Sequence, residues 1–110
     1  MTPTLQQQQT PIDLEIVRQV VDLLPDRWRN AEFVIKSGAR PDGKAALQLR
    51  ITSPAGYSDY VEPSDILFNL ARRLIYVMQQ FGHRLAKATY KIEMTPSEDW
   101  DFKGKYEYYE

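Results

Sequence analysis

With 110 residues, no cysteine and a net charge of −1, the chain is sized for one domain with its own core. It has no disulfide scaffold and no thiolate zinc site, and exerts no general electrostatic pull on nucleic acid or anionic lipid. Its 43% hydrophobic and 26% charged residues are ordinary globular values and argue against wholesale disorder. No apolar run approaches the roughly 20 residues of a membrane span, and the segment MTPTLQQQQT lacks the charged and apolar regions of a secretion signal, so the expected location is the cytoplasm.

Residues 1–9 carry a run of glutamines with nothing to bury and read as a mobile tail, which leaves 10–110 as a single α+β domain. The first helix is expected to start near Thr10 as its cap, with Pro11 in the first turn and Asp13 at the positive end of the helix dipole. Leu14, Val17, Val20, Val21 and Leu24 form its apolar stripe, and Pro25 ends it. Trp28 lies in the connector that follows.

From Ala31 to Lys36 the sequence alternates, with Phe33 and Ile35 on one face. Pro41-Asp42-Gly43 is a turn signal. Lys44 to Thr52 alternates again, with Leu47, Leu49 and Ile51 on one face, and the two runs predict an antiparallel hairpin. Around Tyr57–Val61 the sequence admits a short additional strand.

The most regular segment runs from Pro63 to Gly82. Leu67, Leu70, Ala71, Leu74, Val77, Met78 and Phe81 recur at helical spacing, with Ile66 and Ile75 widening the stripe. Pro63 suits a first turn and Gly82 a left-handed terminal residue. A second hairpin follows. Ala88, Tyr90, Ile92 and Met94 point inward on its first strand, and Trp100, Phe102, Gly104, Tyr106 and Tyr108 share a face on its second. The outward Lys91 and Glu93 are expected to meet opposite charges among Lys103, Lys105 and Glu107.

Runs of antiparallel strands with helices gathered on one side predict a two-layer α+β sandwich. Its sheet has four to five strands with two helices on one face, in the order α-β-β-(β)-α-β-β.

Little of this sequence nominates catalysis. His83, the single histidine, follows a helix-ending glycine beside Arg84 and Lys87, with no nucleophile or carboxylate spaced to work with it. The acids Glu98, Asp99 and Asp101 lack the alternation and glycine of a calcium loop, and the scattered glycines follow no phosphate-binding spacing. The expectation is a protein that is not an enzyme, with no catalytic residue, cofactor or metal. A basic corner of Arg72, Arg73, Arg84 and Lys87 offers a weak nucleic-acid reading. Acidic stretches carrying tyrosines instead fit a basic protein partner, because tyrosine adds contact area at small entropic cost.

The amphipathic helix ending at Phe81-Gly82, followed by a strand, an acid-rich turn and the run Trp100, Phe102, Lys103, Gly104, Tyr106 and Tyr108, resembles the YezG-type bacterial immunity proteins. Trp28, between a short helix and two strands, fits the same pattern. The resemblance implies a small α+β protein of the cytoplasm that binds and neutralises a cognate toxin, such as a nuclease, by covering its active or essential surface. No nucleic-acid or membrane partner is implied. Charge and loop position, rather than the resemblance, choose the contact residues: Tyr57, Asp59, Tyr60, Glu62, Glu98, Asp99 and Asp101. A structural or adaptor subunit is the alternative.

Overall fold

The computed structural model describes residues 4–39, 45–53 and 61–109. Two helices and a four-stranded sheet follow the order α1 (Leu5–Leu23), β1 (Asn30–Ala39), β2 (Ala45–Thr52), α2 (Asp65–Gln80), β3 (Leu85–Met94) and β4 (Trp100–Tyr108). The fold is α+β. All neighbouring strands are antiparallel, in the order β2-β1-β3-β4, so the two hairpins join through β1 and β3. The place expected for a short fifth strand falls mostly outside the described residues; at its end Val61 forms an isolated bridge with Ile51.

α1 begins five residues before the expected start, and residues 4–9 are not a tail. Thr4 caps the helix. Its Oγ1 accepts from the Gln7 backbone N–H at 3.1 Å, and the Gln7 side chain accepts from the Thr4 N–H at 2.9 Å, a reciprocal capping box. Pro11 therefore sits within the helix rather than at its start. It removes one ladder donor, and the packing of the turns around it holds the helix together.

That packing uses a different face from the one expected. Ile12, Asp13, Ile16, Val17 and Val20 are buried, whereas Leu14 is 56% exposed. Hydropathy alone favoured Leu14, but α1 must meet both α2 and the sheet, and the arc that does so runs through Asp13. Likewise Ile66 is 53% exposed and does not widen the α2 stripe. Ser64, not Pro63, opens α2, its hydroxyl accepting from the Leu67 N–H at 3.3 Å.

The other expectations for α2 hold. Leu67, Ala71, Leu74, Val77 and Met78 are buried. Gly82 takes φ of +82° just past the helix, where a side chain would be strained.

The core lies between helices and sheet. Its largest fully buried side chains are Trp28, Tyr90 and Phe33, so the connector tryptophan is a core residue. Phe33, Ile35, Ile51, Ala88 and Ile92 complete the covered sheet face. The opposite face carries the outward residues of every strand, and no helix among the described residues covers it. There the register meets the expected pairing of opposite charges only in part: Glu107 lies opposite Lys87 and Glu32 opposite Lys91, but Lys91 also lies opposite Lys103, and Glu93 opposite Asp101.

Candidate functional site

Strand direction decides which loops share an end of the molecule. α1 ends at Leu23 and the chain enters β1 at Asn30. Asn30 pairs with Glu93, and the Met94 N–H donates to the Arg29 carbonyl at 2.8 Å. Thr52, at the end of β2, pairs with Glu32 near the start of β1, and Val61, just before α2, bridges Ile51. The end of α1, the start of α2 and the β3–β4 turn therefore meet at one end of the sheet.

That end is acidic. Asp22 and Asp26 come from the end of α1 and its connector, Glu62 and Asp65 from the start of α2, and Glu93, Glu98, Asp99 and Asp101 from the β3–β4 hairpin. Against these eight acids stand two bases, Arg27 and Arg29. Elsewhere the described residues carry four acids and ten bases. The near-neutral whole thus conceals a negative charge gathered at one end and a positive charge of about equal size spread over α1, α2 and the sheet.

Of the expected contact residues, Tyr57, Asp59 and Tyr60 lie outside the described residues. Glu62, Glu98, Asp99 and Asp101 are all exposed. They share the acidic end but not one patch. Glu62 lies beside the β2 edge and the other three at the β4 edge, across four strand spacings, or roughly 19 Å.

The β3–β4 turn is built by its own backbone. The Thr95 N–H donates to the Asp99 carbonyl at 2.7 Å, and the Glu98 N–H to the Thr95 carbonyl at 2.9 Å. The Thr95 hydroxyl accepts from the Asp99 N–H at 3.2 Å. Glu98 is held at φ of +64°, in the left-handed region. Glycine adopts this backbone freely, whereas a residue with a Cβ is strained there by about 1–2 kcal/mol. The connection itself requires that backbone: a three-residue hairpin loop is a type I turn followed by one left-handed residue, the place Glu98 takes.

The one buried charged group among the described residues is Asp13, and its importance was missed in the sequence. Tyr90 donates its hydroxyl to Oδ1 at 2.5 Å, Tyr106 donates to Oδ2 at 2.9 Å, and Gln9 Nε2 donates to Oδ2 at 3.1 Å. Burial raises the Asp13 pKa, against the three hydrogen bonds that lower it. Burial beside the carboxylate pushes both tyrosine hydroxyls further from ionisation.

Tyr106 reaches Asp13 by folding back over Gly104, where an added Cβ would lie 2.5 Å from its hydroxyl oxygen. Every donor in this cluster is directed at the carboxylate, so the arrangement joins α1, β3 and β4 rather than presenting a reactive group. The legible trace was an acid on the same arc as Ile12, Ile16 and Val20, with tyrosines on the inward faces of two adjacent strands.

His83 is exposed, its ring 5.1 Å from that of Tyr108. The supposed basic corner disperses. Arg72 bonds Asn69 on the outside of α2, Arg73 lines the groove between the helices, Arg84 lies over the Tyr109 ring and Lys87 belongs to the open sheet face. Among the described residues, no group of three or more His, Asp or Glu side chains is placed to hold a metal ion, and no helix is long and apolar enough to cross a membrane. The chain matches no protein-family model and no curated protein.

Proposed function

We propose that this protein is a non-catalytic binding protein whose acidic end docks a basic protein partner. The observation that carries the reading is the gathering of eight acids and two bases at one end of the sheet. Such a pole speeds encounter with an oppositely charged surface and disfavours other partners. The resemblance to YezG-type immunity proteins supplies the partner class: a bacterial toxin of the cytoplasm, covered at its active or essential surface. Nucleases fit this chemistry because a surface that holds phosphate is basic. Glu98 and its neighbour Asp99 form the centre of contact with Asp101 beside them, Glu62 adds to the same acidic end from its far edge, and Tyr57, Asp59 and Tyr60 are further candidates.

The test is affinity capture from the native cell lysate, elution by a salt gradient and identification by mass spectrometry. One stoichiometric partner with a basic toxic domain is expected. The variant Glu98→Lys with Asp99→Lys is expected to lose it while keeping its fold. Retention of the same partner by that variant, with unchanged salt resistance, overturns the docking surface.

A further inference from the structure

The open face of the sheet carries most of the bases that lie away from the acidic end. Lys36 on β1 lies directly across from Lys87 on β3, and Lys91 on β3 directly across from Lys103 on β4. In the intervening row, Arg50 pairs with Val34, Val34 with Thr89, and Thr89 with Lys105. Six cations therefore occupy three successive rows of outward positions, accompanied by the acids Glu32 and Glu107.

Like charges directly opposite on a ladder destabilise a sheet. None of the six makes an ion pair among the described residues, where Arg18 and Glu15 on α1 form one. Toward β2 an open depression of about 660 Å³ is bordered by Glu32, Lys36, Arg50 and Lys87 and reaches Leu49 and Phe68 of the covered side.

We infer that the open sheet face, through Lys36, Arg50, Lys87, Lys91, Lys103 and Lys105, binds the phosphate backbone of duplex DNA without reading its bases. Glu32 lies across from Lys91 and Glu107 across from Lys87, so two acids face six cations; the polyanion supplies the rest of the counter-charge, and Gln48, Thr52 and Thr89 add neutral donors for phosphate oxygens. A single strand is disfavoured. Sheets that bind single strands stack bases on outward aromatic rings, and the exposed rings at the far end of this face are already engaged, Tyr109 under Arg84 with its hydroxyl on the Ser37 carbonyl and Tyr108 against His83. A duplex keeps its bases stacked on one another and offers only its backbone. The acidic end repels the same ligand and orients it along the lysine rows. The low net charge had argued against any nucleic-acid partner, but it averages charges of opposite sign that the fold separates.

This inference is independent of the proposed protein partner. Its test is fluorescence anisotropy of the full chain with a 20-base-pair DNA duplex (about 20 base pairs suffices to cover the face), its single strand, and polyglutamate. If about four cations each neutralise one phosphate, affinity falls about 100-fold between roughly 50 and 200 mM salt.

The variant Lys36→Glu with Lys103→Glu changes one member of each like-charged pair, so it removes contacts while relieving repulsion. It is expected to reduce the magnitude of the logarithmic salt slope by about two without lowering the melting temperature. Glu98→Lys with Asp99→Lys leaves DNA binding intact or tighter, which separates this surface from the protein-docking end. The inference is overturned by no duplex binding at the lowest salt, by an unchanged slope in Lys36→Glu with Lys103→Glu, or by tighter binding of the single strand. Equal binding of polyglutamate also overturns it, in favour of an acidic protein on the same face.

Discussion

The two faces of this sheet treat charge in opposite ways. On the covered face a single carboxylate, Asp13, is buried, and two tyrosine hydroxyls and a glutamine amide are directed at it. On the open face two pairs of lysines lie directly across from each other. A polar cluster whose hydrogen bonds close on themselves belongs to the architecture, because removing a member leaves buried groups unpaired. The open-face cations outnumber the acids set across from them, Glu32 and Glu107, so the rest of their complement lies outside the chain. This difference, rather than exposure alone, separates the group that holds the fold from the groups available to a partner.

The comparison breaks most severely at Asp13. Asp13→Ala strands two tyrosine hydroxyls and is expected to cost about 2–4 kcal/mol in chemical denaturation. A loss below about 1 kcal/mol would show that water satisfies the tyrosines and that the cluster is not a fastening. Gly104→Ala acts on the same cluster from the far side. Its methyl would occupy the place of the Tyr106 hydroxyl, so Tyr106 swings away and one bond to Asp13 is lost, at about 1–2 kcal/mol. Combined with Tyr106→Phe the two changes should be markedly less than additive, which a double-mutant cycle measures.

The pH dependence follows from burial. The folded-state pKa of Asp13 is raised, so between the unfolded and folded values the native state binds more protons than the unfolded one. The contribution of Asp13 is fully present below the unfolded pKa and is lost as pH rises through the folded pKa. Asp13→Asn has no such proton to release. The stability of wild type relative to Asp13→Asn should therefore decline from about pH 4 toward neutrality, measured by urea midpoints. A difference that stays flat, or grows with pH, would mean that the hydrogen bonds from Tyr90, Tyr106 and Gln9 outweigh desolvation.

The smallest effect belongs to the open face. Lys36→Glu with Lys103→Glu places opposite charges across the ladder and should raise stability by about 0.2–1 kcal/mol for each pair. A gain in stability accompanied by loss of DNA binding would sharpen the contrast between the faces. A loss of stability would place these lysines among the structural groups.

The elements that were legible in sequence share a local cause. The α2 stripe repeats every three to four residues, Gly82 follows it with a left-handed backbone, and each hairpin alternates with turn residues between its strands. Spacing and steric rules act over a few residues, so the chain displays them in its own order. The start of α1 was missed because a capping box of Thr4 and Gln7 can override glutamine-rich polarity, and because Pro11 reads as a first turn unless packing holds the turns around it.

The candidate surfaces were legible only in part. The acids of the β3–β4 turn could be named individually, but their company at one end depends on where α1 stops and α2 starts relative to the strands. The sequence by itself determined the helices' periodicity, the two hairpins and the inward face of each strand, because these follow from residue spacing. Only the tertiary structure decided that β1 and β3 are neighbours, that Asp13 rather than Leu14 turns inward, and that Lys36 meets Lys87 and Lys91 meets Lys103. Those outcomes depend on register and contact between residues up to 93 apart, as for Asp13 and Tyr106, and no local pattern encodes a distance in space.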